Sequence, residues 1–231
     1  MTSKESVELA AVLGDLAVDM ASRSDFEALL ETVVGSAIKL LPGISWAGVS
    51  IVRGRSIVSK APTDDVAKAL ADLQSEVGEG PILTALDEGR TIAVGDLHTE
   101  DRWPAFTRAA TEMGVWCLMS FRLFVKDEAL GVLTLYGPYP DMFTEETVAV
   151  GEIFAQHAAV AMAGVTAAEQ MQRAIASRDV IGQAKGILMQ RDKLTGLQAF
   201  AVLTKASQET NVKLVDVARF LVGEVEREAT G

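Results

Sequence analysis

Cationic and amide side chains concentrate in one short stretch of the sequence, residues 177–191. Its groups that could bind phosphates or unpaired bases are Arg178, Gln183, Lys185 and Arg191. Arginine and lysine neutralise phosphate charge, whereas an amide both donates and accepts hydrogen bonds at a base edge. Ile181, Ala184 and Leu188 stand three and four residues apart, which predicts a helix with one apolar side. The stretch therefore has the chemistry of a binding surface on an amphipathic helix.

Two glycines, Gly182 and Gly186, interrupt this predicted helix. Each glycine in a helix interior costs about 1 kcal/mol relative to alanine. A pair four residues apart lies on one side of a helix, where it would let another molecule approach the backbone closely. The alternative is an ordinary bundle helix with a weak point, and this stretch alone leaves both interpretations open.

Charge is unevenly distributed along the chain. The formal net charge is −11 over 231 residues. Residues 1–165 hold 24 acidic and 12 basic side chains, whereas residues 166–223 hold 5 acidic and 8 basic ones. This asymmetry permits phosphate binding in the C-terminal third without requiring it. The N-terminus shows no secretory signal, and no apolar run approaches the roughly 20 residues of a membrane span, so we expect a cytoplasmic protein without a membrane partner.

Residues that could support catalysis or bind a metal are sparse. His98 and His157 are the only histidines, and Cys117 is the only cysteine. Cys117 lies in an apolar run, which favours a buried, unreactive thiol. The sequence contains no HExxH, nucleophile-elbow or Walker A motif. We therefore expect neither an enzyme nor a metal site.

The first two thirds of the chain predict an α+β domain with an antiparallel sheet flanked by helices. Residues 1–24 form an N-terminal helix, and Ser24 followed by Glu27 has the form of a capping box for the next helix. Thr63 is placed as the cap of a further helix. Residues 115–125 and 130–136 are rich in β-formers and are joined by a charged turn, which predicts a hairpin.

The same part of the chain contains a set of short blocks in a fixed order: Val77–Ile82, Val94–Leu97, Trp103, Leu130–Tyr136 and Phe143–Thr144. Through these blocks, residues 25–165 resemble a GAF sensor domain. The resemblance implies a pocket on one face of the sheet for a small molecule whose identity it leaves unknown. A haem or tetrapyrrole sensor is one alternative, with His98 and Cys117 as the conceivable attachment points.

A helical pattern then continues from Thr144 to Arg191, and residues 144–176 form a connecting helix that overlaps the closing helix of the sensor. Apolar and small residues in this helix step by four and three, which predicts a parallel coiled-coil seam and a homodimer. The seam positions are Val150, Phe154, His157, Ala161, Gly164, Ala168, Met171 and Ile175. A single long helix lying back on its own domain is the alternative.

Residues 170–223 predict an all-α unit of three helices, followed by an acidic tail at residues 224–231. Thr195 is placed as a helix cap, and Leu197, Ala199, Phe200, Leu203 and Ala206 are placed inward. With Phe200 inward, the unit has no exposed aromatic platform for bases.

The unit contains four sequence blocks at regular spacing: Arg178–Met189, Ala199–Leu203, Ser207 and Lys213–Ala218. Through these blocks it resembles an ANTAR domain, the output module of transcription antitermination regulators, although the family's acidic residue near the start of the second helix is absent. The resemblance implies a dimer that binds paired hairpins in nascent transcripts and thereby prevents a terminator from forming.

RNA contacts are assigned to cationic and polar residues of this unit: Arg178, Gln183, Lys185, Arg191, Lys205, Ser207, Asn211, Lys213 and Arg219. A DNA-binding helix-turn-helix regulator is an alternative, because the last two helices have roughly that spacing. A GAF signalling protein that senses a ligand is another.

Overall fold

The computed structural model describes residues 3–53, 56–126 and 128–230. The chain divides into two compact units, Met1–Thr166 and Ala167–Gly231.

Within its described residues, unit 1 contains five α-helices, the first part of a sixth, a short 3-10 helix at Leu97–Thr99, and five strands. The helices are α1 Ser3–Ala21, α2 Phe26–Leu40, α3 Asp65–Val77, α4 Pro81–Glu88, α5 Pro104–Glu112 and α6 Glu145–Asp192, which continues into unit 2. The strands are β1 Trp46–Arg53, β2 Ser56–Lys60, β3 Ile92–Val94, β4 Cys117–Val125 and β5 Glu128–Gly137.

The five strands form one sheet in the order β2-β1-β5-β4-β3, and every neighbouring pair is antiparallel. The predicted hairpin of β4 and β5 is present, and Phe121 lies opposite Leu133 in its register. The predicted α+β class with helices flanking an antiparallel sheet is thus confirmed. β3 pairs only with Leu118–Ser120, so β4 extends beyond the end of its edge neighbour.

Alternation along β4 and β5 creates two cores on opposite faces of the sheet, because successive side chains in a strand point to opposite sides. Phe121 and Leu133 belong to a core shared with helices α1, α2 and α6. Leu118 and Val132 belong to a second core shared with α3, α4 and α5. Tyr136 is fully buried in that second core.

Two helix caps lie one residue later than the sequence pattern predicted. Asp25, not Ser24, is the N-cap of α2, where its carboxylate accepts from the amide of Ala28 at 2.9 Å. Asp64, not Thr63, caps α3. In both places the aspartate carboxylate, and not the neighbouring hydroxyl, accepts the hydrogen bond from the first turn of the helix. The Thr63 hydroxyl instead accepts a hydrogen bond from the Ala47 amide.

Helix α6 runs for 48 residues from Glu145 to Asp192. Its first part closes unit 1, where Phe154 is completely buried against the sheet and Val150 and Ala161 pack around the same core. Phe154 therefore faces its own domain, and its assignment to a dimer seam is wrong. The remaining predicted seam residues are exposed: His157, Gly164, Ala168, Met171 and Ile175.

Helix α6 also approaches the sheet closely at Gly151. A Cβ atom at this position would overlap the ring of Phe121, so the contact requires glycine. Among the described residues, α6 is the one helix long and apolar enough to span a membrane by length and composition. Its apolar residues between Phe154 and Val165 include core residues of unit 1, as in a packed helix of a globular domain.

Unit 2 consists of the C-terminal part of α6, α7 Gly196–Thr210 and α8 Leu214–Thr230. Its core is formed by small and branched side chains from all three helices: Ala184, Leu188, Ala199, Leu203 and Ala218. Helix α8 continues to Thr230, so residues 224–230 prolong a helix and do not form the separate tail that was predicted.

Candidate nucleic-acid interface

A short turn after α6 places the start of α7. Lys193 adopts a left-handed backbone conformation with φ of 55°. Thr195 then caps α7, and its hydroxyl accepts from the Gln198 amide at 3.3 Å while the Gln198 side chain accepts from the Thr195 amide at 2.9 Å. The predicted cap at Thr195 is confirmed. The glutamine also fills the role in the capping box that an acidic residue would have in the family pattern.

The connection between α7 and α8 is fixed by a serine. Asn211 ends α7 in the left-handed conformation, with φ of 54°. The Ser207 hydroxyl donates to the Val212 carbonyl at 2.6 Å, and the Val212 amide donates to the Ser207 carbonyl at 3.2 Å. The one proton of the Ser207 hydroxyl is thus engaged within the turn. This geometry assigns Ser207 and Asn211 to shaping the connection, and Ser207 can still accept a hydrogen bond.

Lys185 lies beside an exposed aromatic ring. Its ammonium group stands 5.9 Å from the ring centroid of Phe200, within the range of a cation–π contact. Phe200 is 41% exposed and Leu197 is 82% exposed. The inward placement of both residues is therefore wrong, and the unit does present an aromatic side chain to solvent. Sequence reasoning missed this platform.

Leu197 is exposed because the buried stripe of α7 is narrow. Ala199 and Leu203 are one helical turn apart and face the core together. Leu197 is two residues before Ala199, which places it about 160° around the helix. One side of α7 cannot hold both, so this two-residue spacing was the signal that could have identified Leu197 as exposed.

The glycines of α6 lie open on the same unit. A Cβ atom added to Gly182 or Gly186 would meet no heavy atom within 4 Å. Neither glycine serves the packing of unit 2. At about 100° per residue, Arg178, Gly182, Lys185 and Met189 fall within about 60° of one another around α6. We call these four residues together with Phe200 the Lys185 face.

Several other predicted contacts are already paired with acidic side chains. Arg191 donates to Asp192 through two nitrogens at 2.9 and 3.1 Å, and this bonding lowers the pKa of Asp192. Lys205 lies 3.8 Å from Glu209, and Arg219 lies 2.7 Å from Asp216. Exposed pairs of this kind are weak and can exchange a carboxylate for a phosphate.

The remaining predicted contacts are exposed but not gathered at one place. Gln183 is exposed and lies two residues from Lys185, about 160° around α6. Lys213 is exposed at the start of α8. The structure therefore places Lys185 beside an aromatic ring and Arg178 about two turns earlier on the same side of α6, and it separates Gln183 from them.

The groups considered for other chemistry lie in unit 1. Cys117 is buried, and burial raises the pKa of its thiol to about 11, which leaves little thiolate at neutral pH. His98 is exposed and its ring lies 6.0 Å from that of Trp116. These two groups do not form a nucleophile–base pair.

Two family profiles match the sequence. The GAF domain profile matches residues 23–163, and the ANTAR domain profile matches residues 169–222. No curated protein sequence matches the chain significantly.

Solved structures resemble the chain in fold. One is the free methionine-R-sulfoxide reductase of Neisseria meningitidis in complex with its substrate, with 18% identity, a TM-score of 0.57, and coverage of 73% of this chain and 96% of that one. Another is the GAF domain of a phosphoenolpyruvate-protein phosphotransferase from Coxiella burnetii, with 19% identity, a TM-score of 0.55, and coverage of 70% and 96%. At these identities the likeness concerns the fold alone.

Proposed function

Because the chain belongs to the GAF domain family and carries an ANTAR domain after its GAF domain, we propose that it is a transcription antitermination regulator that binds paired hairpins in nascent RNA. The architecture is that of an RNA-binding regulator with a sensor domain. In this proposal the ANTAR domain, unit 2, supplies the RNA contact, and the GAF domain controls it.

The observation that carries the proposal is the Lys185 face. A hairpin loop presents phosphates together with unpaired bases whose flat faces are free to stack. Lys185 and Arg178 supply charge for the phosphates, and the exposed ring of Phe200 supplies a stacking surface beside Lys185. Stacking of one base on an aromatic side chain contributes about 1–3 kcal/mol.

The open glycines fit the same role. Gly182 and Gly186 leave the backbone of α6 uncovered next to Lys185. A helix that keeps two glycines at an intrinsic cost of about 1 kcal/mol each, with no packing contact in return, is suited to close approach by a ligand. In the proposal that ligand is the RNA loop.

Binding to duplex DNA is the second candidate. The connection between α7 and α8 has roughly helix-turn-helix spacing, but Glu209, in the last turn of α7 before that connection, pairs with Lys205. A recognition helix normally brings several donors to base edges in the major groove. α8 contributes Arg219, which pairs with Asp216. α8 therefore brings few donors to the base edges of a major groove, and this scarcity favours an RNA loop over duplex DNA as the partner.

A homodimer is part of the proposal, with a seam in a corrected position. The exposed stripe along α6 contains Ile153, His157, Val160, Gly164, Met171 and Ile175. Ile153 and Val160 replace Phe154 and Ala161, and the steps of four and three are kept over most of its length. Val160→Glu should therefore convert a dimer to a monomer in light scattering, whereas an unchanged mass would reject this seam.

A gel-shift competition tests the proposed function. Full-length protein is mixed with a labelled RNA that carries two hairpins joined by a short linker, and unlabelled duplex DNA of equal length is added in excess. We expect the shift to persist, and a single-hairpin RNA to bind more weakly. Complete loss of the RNA shift when duplex DNA is added would favour the DNA-binding candidate. If the RNA is not shifted even without DNA, both the RNA-binding and the DNA-binding candidates are rejected.

A further inference from the structure

A cavity of about 270 Å³ lies in unit 1 at the edge of the sheet, where β4 extends past the end of β3. It is lined by the segment that precedes β3, by the exposed end of β4, and by one side of α6. The lining residues are Gly89, Arg90, Thr91, Phe121, Arg122, Phe124, Glu152, Ala155 and Gln156.

Arg122 is the feature that distinguishes this cavity. Its guanidinium carbon lies 4.9 Å from the ring centroid of Phe124. Its Nε atom is buried, and no atom in the described part of the protein accepts a hydrogen bond from it. A buried donor without an acceptor is costly, and more so when it carries charge. A guanidinium in this state favours an acceptor that enters the cavity.

An acidic side chain, that of the exposed Glu152, also lines the cavity. Glu152 lies on α6 and, among the described residues, it forms no ion pair with Arg122 or with another cation. Arg90, also in the lining, already pairs with Glu88 at 2.5 Å. The cavity therefore presents one unpaired cation and one unpaired carboxylate, so its charges balance. A molecule with both a carboxylate and a cationic donor matches this arrangement better than a simple anion does.

The rest of the lining selects the body of the ligand. Phe121 and Phe124 provide aromatic surface, and Ala155 provides a small apolar contact on α6. A volume of about 270 Å³ corresponds to about nine waters at roughly 30 Å³ each. That is the size of one small organic molecule.

We propose that this edge cavity binds a small zwitterion with an apolar body, of the chemical class of a free α-amino acid, with its carboxylate on Arg122 and its ammonium group towards Glu152. Arginine presents a planar fork of donors that matches a carboxylate. The site lies at the edge of β4 and includes α6.

The position of the cavity gives the ligand a route to the output. The ligand would contact Glu152, Ala155 and Gln156 on α6, next to the point where Gly151 packs on Phe121. The same helix continues to Asp192 and carries Lys185. That occupancy alters RNA binding rests on the proposed function, whereas the binding itself does not.

Three probes that share one apolar body test the chemistry: L-phenylalanine, phenylacetate and phenethylamine. Each is titrated by calorimetry into the full-length protein without RNA. We expect L-phenylalanine to bind most tightly, phenylacetate to bind more weakly, and phenethylamine not to bind. Failure of both carboxylates to bind, or binding of phenethylamine equal to that of L-phenylalanine, would overturn the proposal.

Variants of the lining identify the anchor. Arg122→Gln should raise the Kd of the two probes that carry a carboxylate, L-phenylalanine and phenylacetate, about 10- to 100-fold. Arg108→Gln, which removes an exposed arginine of α5 outside the cavity, should leave both unchanged. Glu152→Gln should weaken L-phenylalanine several-fold and leave phenylacetate unaffected. Equal affinity of the wild type and Arg122→Gln would refute the assignment. Arg122→Lys, which keeps the charge but not the fork, provides a second variant if Arg122→Gln fails to fold.

The two proposals fail separately. If L-phenylalanine binds through Arg122 but no hairpin RNA is shifted, the proposed function is rejected and this site stands. If hairpin RNA is shifted but neither carboxylate binds, the site is rejected and the proposed function stands.

Discussion

Replacing both open glycines of α6 with alanine should stabilise the protein and weaken RNA binding at the same time. A Cβ atom at Gly182 or Gly186 meets no heavy atom within 4 Å, so neither methyl group clashes within unit 2. Alanine removes the excess backbone entropy of glycine, about 0.5–1 kcal/mol per exposed helical site. The double variant should therefore gain about 1–2 kcal/mol of unfolding free energy.

The effect on binding should have the opposite sign. Both methyl groups would stand on or beside the Lys185 face, between the backbone of α6 and an approaching RNA loop. We expect RNA affinity to fall at least about tenfold, which is about 1.4 kcal/mol. A gain in stability combined with a loss of affinity marks a surface kept open for a partner, since a packing role would lower both.

Gly223 supplies the matched control. It lies inside α8, where an added Cβ also meets no heavy atom within 4 Å. Gly223→Ala should stabilise unit 2 by the amount expected for one site, about 0.5–1 kcal/mol, without changing RNA affinity. Chemical denaturation followed by circular dichroism measures the unfolding free energy. The unfolding transition that shifts in Gly223→Ala is assigned to unit 2. Gel-shift titration measures the RNA affinity.

Two results would refute this reasoning. A double variant that is less stable than the wild type would mean that the glycines are needed for packing. A double variant that is more stable but binds RNA with unchanged affinity would place the RNA surface elsewhere on unit 2.

Three further predictions concern single residues. Lys185→Gln should lower RNA affinity and reduce the slope of log affinity against log salt by about 0.7–0.9, whereas Lys193→Gln should do neither; equal effects would reject a specific contact. Gly151→Ala should lower the unfolding free energy by about 1–3 kcal/mol, because its methyl group overlaps Phe121, and an unchanged melting temperature would contradict this contact. The pKa of the Cys117 thiol is raised from 9.0 to about 11, so its contribution to stability is complete below pH 9.0 and is lost as pH rises towards 11. Native protein should resist thiol reagents at neutral pH, and rapid labelling there would show that Cys117 is accessible.

Features set by local spacing could be predicted from the sequence. The β-formers of β4 and β5 and the charged turn between them predicted the hairpin, and the Thr195 cap followed from a hydroxyl at the start of an apolar pattern. Caps were missed by one residue where two candidates were adjacent, as at Ser24 and Asp25. Local patterns cannot decide which of two adjacent side chains is the N-cap when both can accept a hydrogen bond from the same amide.

Features that depend on which of two tertiary contacts a side chain makes could not be predicted. The steps that place Phe154 in a coiled-coil seam differ little from those that place it on a sheet, because the periods of 3.5 and 3.6 residues diverge slowly. Burial of Phe154 against the sheet decided between them. The Arg122 cavity was also beyond reach, since it joins side chains from three segments far apart in sequence.

The boundary between the two compact units falls between Thr166 and Ala167, inside the continuous helix α6. Domain boundaries usually lie in exposed linkers, where proteases cut without harm to either side. A cut here would expose four carbonyl groups on one fragment and four amides on the other, each without its helical partner. Fragments prepared for study by themselves would therefore fray at the new ends. A fragment of unit 2 should begin with an added serine or aspartate to cap its first turn.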